Sequence, residues 1–472
     1  MIHYHQHLID GDMRAATGAA TTTIHDSTTE EPLATIAHGS AADVEAAVKA
    51  ARAAFARWSS TSVEQRAAYL LAIADALEAQ SDRMADSVVA EVGMPLKLAL
   101  RIQVQAPIAA WRTTAARAAE ALAETRVAHS LVTKEPVGIV AAITPWNYPL
   151  HQITAKLAAA LVAGCCVVLK PSELAPGVVA ALCEAALEAR LPRGVLNVVV
   201  GDRSTGEALI AHPGIDMVSF TGSTAAGRQI AASAGARLKR VALELGGKSA
   251  SIALPDADLA AVVKHALSSC MLNSGQTCSA ITRLIVPDAQ YPAYREQLRG
   301  GLANLRIGDP RDAGSRLGPL VSAAHRSRVS AYIERAQQAS YDEIADDTQT
   351  VLPARGYFVA PAIFGRVPAD AELAQEEVFG PVLAVQTYST EEEAVALANG
   401  TPYGLAGAVW SASAEHALRV ARRLRAGQID VNGAPFNASA PFGGFGASGM
   451  GREGGTFGIE DFIELRAIQL PQ

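Results

Sequence analysis

At 472 residues the chain exceeds the size at which one hydrophobic core stops growing, so two or three domains are expected. Half of the residues are hydrophobic, only 5% are aromatic, and the formal net charge is −7. That balance implies an Ala- and Val-rich interior and argues against nucleic acid or an anionic membrane as the main partner.

The opening stretch, "MIHYHQHLIDGDMR", lacks the apolar core of a secretory signal. His3, His5 and His7 alternate as on one strand face. They have no acidic or cysteine partner in pattern, so a polar terminal strand is expected and no metal site. From Asp43 to Leu77, Ala, Val and Leu recur at helical spacing between Arg and Glu. The helical reading persists to Leu122, interrupted at Gly93 and Pro95. "TRVAHSLVTKEPVG" (125–138) then reads as an extended hairpin.

The rhythm changes at 137. The short apolar runs "VGIVAAIT" (137–144), "CVVLK" (166–170), "VLNVVV" (195–200), "MVSF" (217–220) and "KRVALEL" (239–245) alternate with helix-like stretches. Those stretches start near Leu150, Pro176, Ser204 and Ala225. Such alternation predicts a parallel sheet with crossover helices, whose ligands bind at the carboxyl ends of the strands. Pro, Gly and polar residues gather at those ends: "TPWNYP", "KPSE", "GD", "FTGST" and "ELGGK". The longest apolar run, Leu157–Leu169 between Lys156 and Lys170, is too short to span a bilayer.

A second region starts near Ser249. Leu259, Val262, Val263, Ala266, Leu267, Cys270 and Met271 fall on one helical face, so Cys270 reads as core. Cys278 lies beyond that stripe in "NSGQTCSA", after Asn273, Ser274 and Gly275, residues that stop a helix and admit positive φ. It is therefore expected in a turn. Cys165, Cys166 and Cys183 sit in apolar company; with no CxxC pair and an odd total, the set suits reduced thiols in a cytoplasm. "EDFIELRAIQL" (460–470) reads as a terminal strand. Neither it nor the 125–138 hairpin has an obvious place within the chain, and pairing with another subunit would protect their edges.

Taken in order, "TPWNYPL", "LKPSE", "FTGST", "ELGGK", "NSGQTC", "EEVFGP" and "PFGGFGASGMGRE" resemble the NAD(P)-dependent aldehyde dehydrogenase superfamily. The likeness runs from Ile143 to Glu453, with weaker similarity at both ends. It implies an α/β fold: a Rossmann-type doubly wound cofactor domain (1–124 and 139–246), an α/β catalytic domain (247–432), a substrate-side loop (433–454), and a small β extension for oligomerisation (125–138 and 455–472). A homodimer or homotetramer in the cytoplasm is expected.

By the same resemblance Cys278 is the nucleophile that adds to an aldehyde carbonyl, against the plain reading of an inert turn cysteine. The side-chain amide of Asn147 and the backbone N–H of the nucleophile would receive the oxyanion. Glu244 matches the general base that activates the hydrolytic water; the plain alternative is a satisfied carboxylate at a strand end. Its presence favours hydrolysis over transfer to coenzyme A. Lys156 matches a lysine near the site, with a helix-surface lysine as the rival reading.

For the cofactor, the resemblance assigns Gly222, Ser223 and Gly227 to the pyrophosphate at a helix start. Lys170 and Glu173 match contacts to the adenosine ribose, and Glu377 and Phe379 match contacts to the nicotinamide ribose and ring. Trp146 matches a residue lining the phosphate site, and Thr144, Ser172 and Leu245 complete the cofactor set. A carboxylate at Glu173 repels a 2′-phosphate, which favours NAD over NADP. Tyr148, His151, Gln152, Leu272, Thr277, Ser279, Phe436 and Phe442 would surround the aldehyde. With no Arg among them, a medium-chain aliphatic or aromatic aldehyde is expected. An NADP-dependent or semialdehyde-specific enzyme on the same scaffold, or a non-catalytic protein that kept the fold, remain as alternatives.

Gly444, Gly446 and Gly449 spell G-x-G-x-x-G, but no convincing strand precedes them and no clear helix follows, so they read as a Gly-rich loop on the substrate side. Gly446 departs from the family pattern, in which many members carry Lys there.

Overall fold

The computed structural model describes residues 1–345 and 351–471. Residues 346–350, inside the 247–432 segment, and the terminal residue 472 lie outside the described part. The fold is α/β, built on two large sheets.

In the first sheet the strands Arg240–Glu244, Met217–Thr221, Ile139–Ile143, Cys166–Lys170 and Leu196–Val198 lie side by side in that order, all parallel. All but the outermost are buried on both faces, which is why they read as unbroken apolar runs. Helices Pro149–Ala163, Pro176–Glu188, Arg203–Ala211 and Thr224–Gly235 connect them. The chain runs outward from Ile139–Ile143 through two strands, then returns to the opposite side at Met217–Thr221. A topological switch point therefore lies between Ile143 and Thr221, and a crevice opens beyond their carboxyl ends.

Both ends of this sheet carry antiparallel additions. Gln6–Ile9 pairs with Leu196–Val198 and is itself followed by Asp12–Ala15. The single polar strand expected at the N-terminus is thus two strands in two sheets: Ile2–Tyr4 pairs instead with Pro32–Ala37. His3 and His5 both contact the Thr35 hydroxyl, while His7 is buried 4.0 Å from Asp43. Among the described residues no group of three or more His, Cys, Asp or Glu is arranged to hold a metal. At the far edge Gly449–Met450 pairs with Leu243 and Glu244. The G-x-G-x-x-G stretch is a 3-10 turn, Gly446–Ser448, leading into that edge strand.

Residues 41–121 form stacked helices over the first sheet. Ser40 and Ser62 cap two of them in reciprocal boxes with Asp43 and Gln65. The helix Ser81–Val92 ends on Gly93 at φ +84°. Within the run after Pro95, Ala99–Gln105 widens to a π-helix, which buries Gln103.

The second sheet takes its strands from Asp342–Glu343, Ala362–Gly365, Val382–Tyr388, Ile281–Pro287, Ser249–Ala253, Ala406–Trp410 and Gln428–Val431, in that spatial order. All its pairs are parallel except the first. Only Leu245–Lys248 separates the last parallel strand of the first sheet from Ser249.

The terminal strand Ile463–Gln469 pairs antiparallel with Ser130–Pro136, which pairs with Thr125–Val127. This corrects the expectation that neither segment has a place within the chain. Each is the other's partner, and the outer edge of Ile463–Gln469 is left open among the described residues. No helix among those residues is long and apolar enough to cross a membrane.

Candidate active site

Three loops meet at the crevice. The first follows Ile143, where Asn147 is buried just before the Pro149–Ala163 helix. Its backbone carbonyl accepts from Gln103 Nε2 at 2.7 Å and Asn273 Nδ2 at 3.1 Å, and its own amide Nδ2 donates to the Gln276 carbonyl at 3.0 Å. An amide nitrogen carries two hydrogens, so one anchors the group and the other stays available.

The second loop carries Cys278. The helix Leu259–Cys270 stops and Asn273, Ser274 and Gly275 all take left-handed φ, between +52° and +78°. At Gly275 a Cβ would come within 2.1 Å of the Gly380 backbone, so glycine permits this packing. Gln276 pins the turn, accepting from the Val321 N–H and donating to Asn273. Cys278 is thereby lifted off the helix and remains partly exposed, whereas Cys165, Cys166, Cys183 and Cys270 are buried. Its backbone N–H has no acceptor among the described residues. Burial, then the charges of Glu377 and Glu244, push the thiol up to about 12.

The third element is Leu245–Lys248. Glu244 closes its strand, buried, and neither carboxylate oxygen has a hydrogen-bond partner among the described residues. It is not a satisfied carboxylate. Burial and the neighbouring Glu453 push it well above the usual carboxylate range, against the pull of Lys156 and Arg452. A Cβ at Gly247 would meet the Cys278 carbonyl at 2.8 Å, and the Gly247 N–H donates to Glu377 Oε1 at 3.0 Å. The two glycines of this linker let the Cys278 loop and Glu377 close on it.

Lys156 is not on a helix surface. It is 1% exposed and its Nζ lies 2.6 Å from Glu453 Oε1. Glu453, a neighbour of both Lys156 and Glu244, is a residue that local reading missed. It lies inside the quoted motif "GASGMGRE", but only the fold brings it to Lys156 and Glu244. Arg452, Gln103, Asn273 and His325 were missed for the same reason.

Around the switch point several groups suit a dinucleotide. Thr144 Oγ1 and Thr221 Oγ1, at the two strand ends, are buried without partners among the described residues. Ser223 caps the Thr224–Gly235 helix, and the N–H groups of Thr224 and Ala225 have no acceptor among the described residues. Gly227 lets the Leu245 side chain sit against the first helical turn. Lys170 and Glu173 form an ion pair at 3.4 Å beyond the adjacent strand, next to buried Ser172. Phe379 sits at φ +61° with its ring edge-on to Trp146, 5.7 Å between centroids, and His325 completes the trio. Trp146 therefore packs with the Phe379 group.

Of the expected aldehyde-lining residues, Tyr148 and Thr277 share a hydrogen bond of 2.7 Å, which ties the Asn147 loop to the Cys278 loop. Thr277 also donates to the Leu272 carbonyl, and Ser279 follows Cys278 directly. His151 Nδ1 and Gln152 Oε1, on the adjoining helix, are buried without partners among the described residues. Phe442 exchanges two backbone hydrogen bonds with Glu453, and Phe436, half exposed, stacks edge-on against it. These two reach the crevice through Glu453 and sit at its rim.

Residues 14–468 match the Aldehyde dehydrogenase family. The chain is 40% identical over 478 residues to the 3-succinoylsemialdehyde-pyridine dehydrogenase of a Pseudomonas species, covering 99% of each. It is 39% identical to the geranial dehydrogenase of Castellaniella defragrans, again over 99% of each. A variant of aldehyde dehydrogenase C from Pseudomonas syringae, in complex with NAD+ and octanal, superposes with a TM-score of 0.96 at 40% identity, over 98% of this chain and 96% of that one.

Proposed function

This chain belongs to the aldehyde dehydrogenase family, and on that premise we propose that it oxidises an aldehyde to the carboxylic acid with NAD+, releasing the product by hydrolysis and not by transfer to coenzyme A. The observation that carries the reading is the meeting of the Cys278 loop with the Asn147 amide and an unpaired, buried Glu244 at one crevice.

Cys278 Sγ bonds to the carbonyl carbon, and its proton leaves to Glu244, whose charge already acts on the thiol. The oxyanion is received by the free hydrogen of Asn147 Nδ2 and the Cys278 N–H. Bound NAD+ supplies the acceptor for the hydride that leaves this carbon. Glu244 gives up that proton to solvent and then takes one from a water that attacks the thioester; the C–S bond breaks, the sulfur leaves as thiolate, and a proton returns to it. Thr144, Thr221, Ser223 and the start of the Thr224–Gly235 helix hold the pyrophosphate region, Lys170 and Glu173 the adenosine ribose, and Glu377 and Phe379 the nicotinamide end.

The substrate is a medium-chain aliphatic or aromatic aldehyde, supported by the absence of an Arg among the expected lining residues, by a relative named for geranial and by a structural neighbour complexed with octanal. The enzyme acts as a homo-oligomer in the cytoplasm. An NADH-absorbance assay with hexanal, benzaldehyde and succinic semialdehyde, run with both NAD+ and NADP+, tests the reading. A clear preference for succinic semialdehyde refutes the substrate class. Full activity after iodoacetamide labelling of Cys278 refutes the chemistry.

A further inference from the structure

A second polar cavity lies where the start of the Ser249–Ala253 strand meets the end of the Glu391–Asn399 helix and residues 401–407. Its wall carries Lys248, Arg283 and Arg425 and no Asp or Glu. Lys248 is 2% exposed, and its Nζ has no hydrogen-bond or ion-pair partner among the described residues. Arg283 is equally buried and donates to the carbonyls of Lys248, Leu397 and Ala398 at 2.6–3.0 Å, acceptors that are neutral. Arg425, at the exposed rim, has no carboxylate against it among the described residues.

Buried charge is costly unless it is compensated. Burial and the nearby Arg283 push Lys248 down to about 8, while Glu377 and Glu376 pull the other way without pairing to it. Two buried cations thus face one cavity with no counter-charge in contact. The room for the centre of a water-sized particle there is about 20 Å³, enough for one small particle and too little for a tetrahedral oxyanion.

We propose that this cavity is a halide site, in which chloride rests on Lys248 Nζ with Arg283 supplying charge from behind. An ion there stabilises the fold by mass action.

Thermal unfolding at fixed ionic strength, with gluconate replaced stepwise by chloride, tests the site. The wild-type Tm is expected to rise by about 1 °C per tenfold chloride once the site begins to fill. Lys248→Met is expected to lose that slope, and Arg425→Gln to reduce it. A flat wild-type response, or an equal slope in Lys248→Met, overturns the proposal. Crystals of the wild-type enzyme soaked in bromide give an answer independent of any variant's folding: an anomalous peak against Lys248 Nζ supports the site, and its absence sinks it.

Discussion

Lys156 and Glu453 are 297 residues apart in the chain and meet at 2.6 Å beside Glu244. Glu453 pushes the Glu244 carboxyl up and Lys156 pulls it down, so the pair sets where the base ionises. In the proposed mechanism Glu244 works as a base only when deprotonated, so activity is expected to rise as pH climbs through its pKa. Glu453→Gln removes a negative neighbour and leaves Lys156 unneutralised; both effects lower that pKa. The rising limb of the kcat–pH profile is expected to move down by roughly one unit. Lys156→Met removes the cation and should move the limb up. Shifts in the same direction for both variants would contradict the arrangement.

The resting thiol makes a second prediction. Cys278 is pushed up to about 12 by burial and by two carboxylates, so near neutral pH only a small fraction is thiolate. Alkylation by iodoacetamide, which needs thiolate, is expected to quicken about tenfold per pH unit from 7 to 10 in the cofactor-free enzyme. A plateau by pH 8 would show an activated thiol instead.

Asn147 separates positioning from chemistry. Its side chain anchors the Gln276 carbonyl, and its carbonyl is held by Gln103 and Asn273, so the backbone of the loop stays fixed when the side chain is cut. Asn147→Ala is expected to lower kcat about 10²–10³-fold, the worth of one oxyanion donor. Steady-state kinetics showing a change in KM alone would assign the amide to ground-state binding.

Much of this was legible in the sequence because local pattern carried it. Buried parallel strands read as apolar runs, and the polar residues after "VGIVAAIT" and "MVSF" mark the crevice on which the fold converges. Helical periodicity separated Cys270, which is core, from Cys278, which is not. What stayed hidden depends on contacts between distant segments. Nothing near Glu453 announces Lys156, and nothing near Gln103 shows that a π-helix will aim its amide at the Asn147 carbonyl. The terminal strand was recognisable by composition, but its partner, Ser130–Pro136, lies more than 300 residues earlier.

The Lys170–Glu173 pair tests cofactor choice. The carboxylate of Glu173 is only partly buried, and Lys170 lies 3.4 Å from it, offsetting part of its charge. If Glu173 holds the ribose as proposed, Glu173→Gln would keep that hydrogen bond and remove the repulsion toward a 2′-phosphate. The ratio of kcat/KM for NADP+ over NAD+ is expected to rise about tenfold, which corresponds to about 1.4 kcal/mol. An unchanged ratio would place discrimination elsewhere.

The open edge of Ile463–Gln469 argues for assembly. Leu465 is 68% exposed and Ile468 39%, on a strand whose outer edge pairs with no further strand among the described residues. Such an edge invites pairing with another chain unless it is covered. Truncation would be a poor test, because Phe462 and Ile463 are buried and the Phe462 carbonyl accepts from the Val137 N–H. Leu465→Lys with Ile468→Lys changes only exposed side chains and leaves that anchoring intact. Light scattering is expected to show the native mass falling toward that of one chain, with far-UV circular dichroism unchanged. If the doubly substituted protein keeps the wild-type mass, the subunits meet through another face, and this edge is protected by its charged neighbours, Glu464 and Arg466, alone.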